Sequence, residues 1–90
     1  MDKETREEFE EAIEIMEEVI EDRGVPRNIR KAVSDAKEKI EKKEAKGVDF
    51  SNAIYLLDDI SNDINIPSHT RTSIWTIISR LEGVKEKLKG

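Results

Sequence analysis

Apolar residues recur at three- and four-residue spacing along nearly the whole chain, and the pattern breaks in three places. Phe9, Ala12, Ile13, Met16, Val19 and Ile20 form the first stripe, which predicts an amphipathic helix from Asp2 or Thr5 to Asp22. Thr5 and Glu8 have the spacing of a capping box, and Gly24 in "RGV" is the expected stop, free to adopt a left-handed conformation. A second helix should open with Pro26 as its first helical residue and bury Ile29, Ala32, Val33, Ala36 and Ile40 before the lysine-rich "EKKEAKG". A third should use Asp49 as N-cap and bury Phe50, Ala53, Ile54, Leu57 and Ile60. A fourth should begin at Pro67 and run through Ile74, Ile77, Ile78, Leu81, Val84 and Leu88. Short connections favour antiparallel neighbours.

The same plan occurs twice. A shift of 41 positions, without gaps, lays Phe9 on Phe50, Ala12 on Ala53, Ile13 on Ile54, Met16 on Leu57 and Val19 on Ile60. It also lays Asp22 on Asp63, Pro26 on Pro67 and Arg30 on Arg71. Amphipathic helices share apolar registers by chance; the Asp, Pro and Arg matches are more informative. A HEAT-type solenoid also has repeats near this length, but two copies fall short of the roughly three that a solenoid needs. The expected fold is therefore all-α: an up-and-down antiparallel four-helix bundle built from two similar helical hairpins, about 1–47 and 48–90, in one domain.

Charge refines this picture. The chain is 41% charged and 36% hydrophobic, near the composition of disordered chains, and only the stripes argue for a core. Residues 1–24 carry three basic and eleven acidic side chains, residues 25–48 eight and four, residues 49–66 none and four, and residues 67–90 five and two. Acidic and basic helices alternate, so neighbours in the bundle carry opposite signs. The net charge of −5 argues against a general nucleic-acid binder, though not against a local basic patch. No cysteine, apolar run of membrane-spanning length or signal-peptide pattern is present, and a cytoplasmic protein is expected.

Two motifs carry a resemblance. "VPRNIRKA" and "ISNDINIPSHTRTSIW" resemble the uncharacterised protein family 0147 of small archaeal proteins, the second through Ser61, Asn62, Asp63, Asn65, Pro67, His69, Thr70, Arg71, Thr72, Ile74 and Trp75. Ile64 departs from the pattern, where proline is expected. The resemblance implies a small helical bundle in an archaeal cytoplasm and brings no activity, substrate or cofactor.

Candidate sites remain. In such a bundle the first and third turns share one pole, where two helix N-termini and Arg27, Asn28, Arg30, Ser68, His69, Thr70 and Arg71 could receive an anion or an acidic partner. Asp22 and Asp63 could instead fill that role internally by pairing with the arginines. Trp75 and Tyr55 lie off their stripes and are candidate interface residues. His69 alone does not indicate catalysis. Asp58, Asp59 and Asp63 lack the spacing of a calcium loop, and no E-x-x-H, P-loop, G-x-S-x-G or H-E-x-x-H motif is present. No enzyme, cofactor or metal is expected. The reading is a small protein–protein interaction module that binds an unknown protein or itself. The alternative is a nucleic-acid-associated protein contacting phosphates through Arg27, Arg30, Lys31, Lys37, Lys42, Arg71 and Arg80 on helices two and four.

Overall fold

The computed structural model describes residues 1–88, and the last two residues of the expected second hairpin lie outside them. Four helices, α1 (Lys3–Glu21), α2 (Arg27–Glu41), α3 (Gly47–Ser61) and α4 (Ser68–Leu88), are joined by residues 22–26, 42–46 and 62–67. Contacts join α1 to α2, α2 to α3, α3 to α4 and α4 back to α1, with none across the diagonals. This is a closed up-and-down four-helix bundle of 38 × 20 × 19 Å, with no strand among the described residues.

The stripes meet along its axis. Ala12, Met16, Val19, Ile29, Val33, Ala36, Ile40, Phe50, Ala53, Leu57, Ile74, Ile77, Leu81 and Val84 are all buried. Fully burying a Val, Leu, Ile, Phe or Met side chain contributes about 1.5–3 kcal/mol, so stability concentrates in these few positions. Phe9 and Phe50 pack as a tilted pair with ring centroids 6.1 Å apart. Val25 and Ile66, the residues before the two prolines, are also buried and plug one end. Their equivalence at offset 41 repeats through the core: Ala12 and Ala53, Met16 and Leu57, Val33 and Ile74, Ala36 and Ile77, and Ile40 and Leu81 are buried in pairs.

Helix starts differ from the sequence expectation, each for a local reason. Asp2, not Thr5, caps α1: its carboxylate accepts from the Thr5 N–H at 2.8 Å, leaving no capping box with Glu8. Glu8 instead lies against Gly83 of α4, where a Cβ would collide with its carboxylate. Pro26 sits one residue before α2 with ψ of 147°, outside the helix, and its carbonyl accepts from Ile29 and Arg30. Pro67 does the same for Thr70 and Arg71. Asp49 lies inside the first turn of α3, and its carboxylate reaches back to the Lys46 N–H at 2.7 Å. Lysine has no side-chain acceptor to return that bond. No glycine has positive φ among the described residues, so Gly24 ends α1 without the left-handed conformation.

One internal pair is mismatched. Ile29 is fully buried, whereas its equivalent in α4 is Thr70, 1% exposed, whose hydroxyl has no hydrogen-bond partner among the described residues. An unsatisfied buried polar group costs about 1–3 kcal/mol. Thr70→Val should therefore raise the urea midpoint at unchanged slope, by about 1 kcal/mol of stability; a lower midpoint would show that the hydroxyl is bonded in solution. Phe50→Ala should lower stability by about 3–5 kcal/mol, read in the same titration.

Candidate functional site

The two proline turns lie together at one pole and are built alike. Asp22 N–H donates to the Val19 carbonyl and Asp63 N–H to that of Ile60. The Asp22 carboxylate accepts from the Gly24 N–H at 2.8 Å, and the Asp63 carboxylate from the Asn65 N–H at 2.7 Å. Val25 N–H returns to the Asp22 carbonyl, as Ile66 N–H does to that of Asp63. The second oxygen of each carboxylate then crosses to the other hairpin. Asn28 Nδ2 donates to Asp63 Oδ2 at 3.1 Å, and His69 Nε2 lies 3.3 Å from Asp22 Oδ2. Asn28 and His69 are equivalent positions, so the two cross-links are one interaction made twice.

The arginines do not pair with these carboxylates, contrary to the sequence expectation. Arg30 Nε donates to the Val25 carbonyl at 3.0 Å, and Arg71 Nε to the Ser61 carbonyl at 3.0 Å. Each guanidinium turns back onto carbonyls of the chain that leads into its own helix, Arg71 reaching that of Asp63 as well. Arg27 and Ser68 are exposed beside them. The pole thus brings Arg27, Asn28, Arg30, His69 and Arg71 together, but Asp22 and Asp63 already supply its negative charge. Asp22 is held below the usual carboxylate range, first by the Gly24 N–H, then by His69.

Among the described residues no group of three His, Asp or Glu side chains is placed to hold a metal ion. Asp58 and Asp59 are exposed, and Asp63 is turned to Asn28.

The aromatic pair lies elsewhere. Tyr55 is 73% exposed on α3 and Trp75 56% exposed on α4. Arg71 marks the side of α4 that faces α3, through its bond to Ser61, and Trp75 follows it by four residues on that side. Tyr55 lies about 9 Å and Trp75 about 6 Å along their helices from that shared level, by the helical rise per residue. Ile54, seven residues before Ser61, and Ile78, seven after Arg71, are partly buried on the sides of α3 and α4 that this bond turns towards each other.

α4 also carries a run of hydroxyls not anticipated from sequence, with Thr72 one turn before Trp75 and Ser73 turned towards α1 beside Glu18 and Asp22. Thr72, Ser73 and Thr76 fold their hydroxyls onto the carbonyls of Ser68, His69 and Thr72, at 3.3, 3.1 and 3.0 Å. At the equivalent positions of α2 stand Lys31, Ala32 and Asp35, with Glu38 where α4 has Ser79. Lys31 and Asp35 form an ion pair at 3.2 Å. The signal was present in the sequence as a run, residues 68–79, without lysine or an acidic residue in a chain that is 41% charged.

Asp2 and Asp49 are held low as Asp22 is, by the Thr5 N–H and by Lys42, respectively. Unfolded aspartate titrates near pH 3.9, and these groups bind protons less readily in the fold. Their contribution is therefore complete above the unfolded value and is lost as pH falls through the lowered folded values. Urea stability should decline below about pH 4, in that window, and Asp22→Asn should make the decline shallower. A midpoint that rises on acidification would contradict this.

The model for the family described as Uncharacterised protein family (UPF0147) matches residues 1–84. A UPF0147 protein of Methanocaldococcus jannaschii is 53% identical over 72 residues, covering 79% of this chain and 77% of its own. Another, from Methanothermobacter thermautotrophicus, is 43% identical over 83 residues, covering 91% and 81%. The fold is similar to the crystal structure of a protein of this family from Thermoplasma acidophilum, with a TM-score of 0.82 at 35% identity, covering 88% of this chain and 94% of that one. A second crystal structure, of a protein of unknown function, gives 0.75 at 47% identity, covering 83% and 86%. Fold, turn motifs and relatives agree that the chain belongs to the uncharacterised protein family UPF0147.

Proposed function

We propose that this protein is a small non-enzymatic interaction module whose contact surface is the α3–α4 face around Tyr55 and Trp75. The observation that carries the reading is an internal control. The equivalent face of the first hairpin has Glu14 and Ser34 where the second has Tyr55 and Trp75. The first hairpin packs the same core and makes the same turn without those rings, so the fold itself does not require them.

The surrounding surface has the properties of an interface. Interface cores are enriched in Tyr and Trp and depleted of Lys, Glu and Asp. Short hydroxyl side chains lose little conformational entropy on being covered, unlike the long charged chains of α2. The Thr72 hydroxyl, one turn before Trp75, already has its acceptor on its own helix, so a partner that excludes water there strands no proton.

The phosphate-contacting alternative has less support. α2 and α4 occupy diagonal corners and share no face. Lys37 is paired with Glu17 and Glu41, Lys42 with Asp49, and Arg80 with Glu11. Each would have to exchange an internal partner for a phosphate.

The test is capture of a partner on the immobilised protein, compared with Trp75→Ala and the surface control Lys43→Ala. A buried interface tryptophan typically contributes about 2 kcal/mol or more, so Trp75→Ala should weaken binding by roughly 30-fold. Its urea midpoint should stay within about 0.5 kcal/mol of the parent, because the ring is exposed. Undiminished binding by a folded Trp75→Ala protein would sink this assignment.

A further inference from the structure

From the charges that flank the aromatic pair, we infer that the partner of the α3–α4 face is a basic amphipathic helix and not a second copy of this chain. This rests on the proposed interface and adds the chemistry of its occupant. Every charged residue of α3 is acidic, and Asp58 and Asp59, within one helical turn of Tyr55, are exposed. On α4, Glu82 follows Trp75 by two turns and is also exposed. None of the three has an ion-pair partner among the described residues. Arg71 is turned inward onto the Ser61 and Asp63 carbonyls, and Lys85 is about 15 Å along α4 from Trp75.

A two-fold pair of copies joined through this face would bury the same patch on both sides. Both copies would then bring their unpaired carboxylates into one interface, with Arg71 turned inward and no cation beside the rings to match them, and like charges brought together in an interface oppose association. A partner carrying lysine or arginine on either side of an apolar stripe meets the face with opposite charge. The seam suits a helix: α3 is 15 residues long, about 22 Å, and one helix laid along the seam can place residues at i, i+3, i+4 and i+7 between Tyr55 and Trp75.

The only tryptophan of the chain reports the contact directly. Three synthetic 18-residue peptides serve as probes: a leucine stripe with lysine flanks, the same stripe with glutamate flanks, and a lysine-rich peptide of the same composition with its stripe scrambled. The first should shift Trp75 emission to the blue and move amide signals of residues 52–59 and 71–79. Its binding should weaken as salt rises. The glutamate and scrambled peptides should bind at least tenfold more weakly. Asp58→Asn with Asp59→Asn should weaken the first peptide several-fold and flatten its salt dependence, without changing the urea midpoint by more than a surface substitution does.

Equal binding of the glutamate peptide, no binding of the lysine peptide, or signals moving on the α1 glutamates (Glu7, Glu10, Glu14) instead would each overturn the inference. Dimerisation that is abolished by Trp75→Ala would overturn it too, while leaving the interface assignment standing. If capture of a partner survives Trp75→Ala, the interface assignment itself fails.

Discussion

Four narrow apolar stripes, in a chain with barely a third of its residues hydrophobic, have to be buried at once. A single hairpin cannot do this, because two helices packed side by side leave half of each stripe in water. Two hairpins laid face to face bury all four, and the contact between α1 and α4 closes the ring. Closure leaves these two hairpins no free apolar edge onto which a further hairpin could stack as in a solenoid. It also decides what remains outside. Residues that project from the ring are there because the core has no room or need for them, and they can be judged by what else explains them.

The pole shows how the two hairpins are tied. Asp22 and Asp63 each use one carboxylate oxygen to fold their own turn and the other to reach the opposite hairpin. One residue type at one position thus performs a local and a long-range task. The donors differ, Asn28 for one and His69 for the other, and so do the buried neighbours, Ile29 and Thr70. The bond pattern survives both changes. What the turn requires is a side-chain donor at the position two residues past proline, and either amide or imidazole meets that need.

Much of this could be read from the chain. The stripes gave four helices, and their bounds at Glu21, Glu41 and Ser61 lie close to those expected. The offset of 41 anticipated a shared pole because aspartate and proline, unlike leucine and isoleucine, rarely match by amphipathic chance. Helix starts were less legible. Asp2, Thr5, Pro26 and Asp49 are all residue types found in first turns, and choosing among adjacent candidates depends on ψ angles and on which N–H lies nearest a carboxylate. The partners of Arg30 and Arg71 were illegible for a similar reason. Carboxylates and carbonyls compete for a guanidinium, and the turn that exposes the carbonyls is a three-dimensional fact. Trp75 and Tyr55 were visible as off-stripe aromatics, but how far the rings stand out of the bundle, 56% and 73% exposed, is set by the packing of the neighbouring helices.

That packing also explains why the exposed charges are distributed as they are. The side-chain ion pairs between helices run from α1 to its two neighbours, Glu17 to Lys37 of α2 and Glu11 to Arg80 of α4. Such exposed pairs are individually worth about 0–1 kcal/mol, too little to hold the fold but enough to favour one helix order over another. Among the described residues no such pair joins α3 to α4. α3 has no cation to offer, and α4 turns Arg71 inward onto the Ser61 carbonyl. Fold specificity is secured on the other sides of the ring, so the exposed carboxylates of the α3–α4 face, Asp58, Asp59 and Glu82, are left without internal partners among the described residues. A surface that exposes tryptophan and tyrosine sacrifices solubility, and selection on stability alone provides no reason for that exposure. Contact with another molecule does.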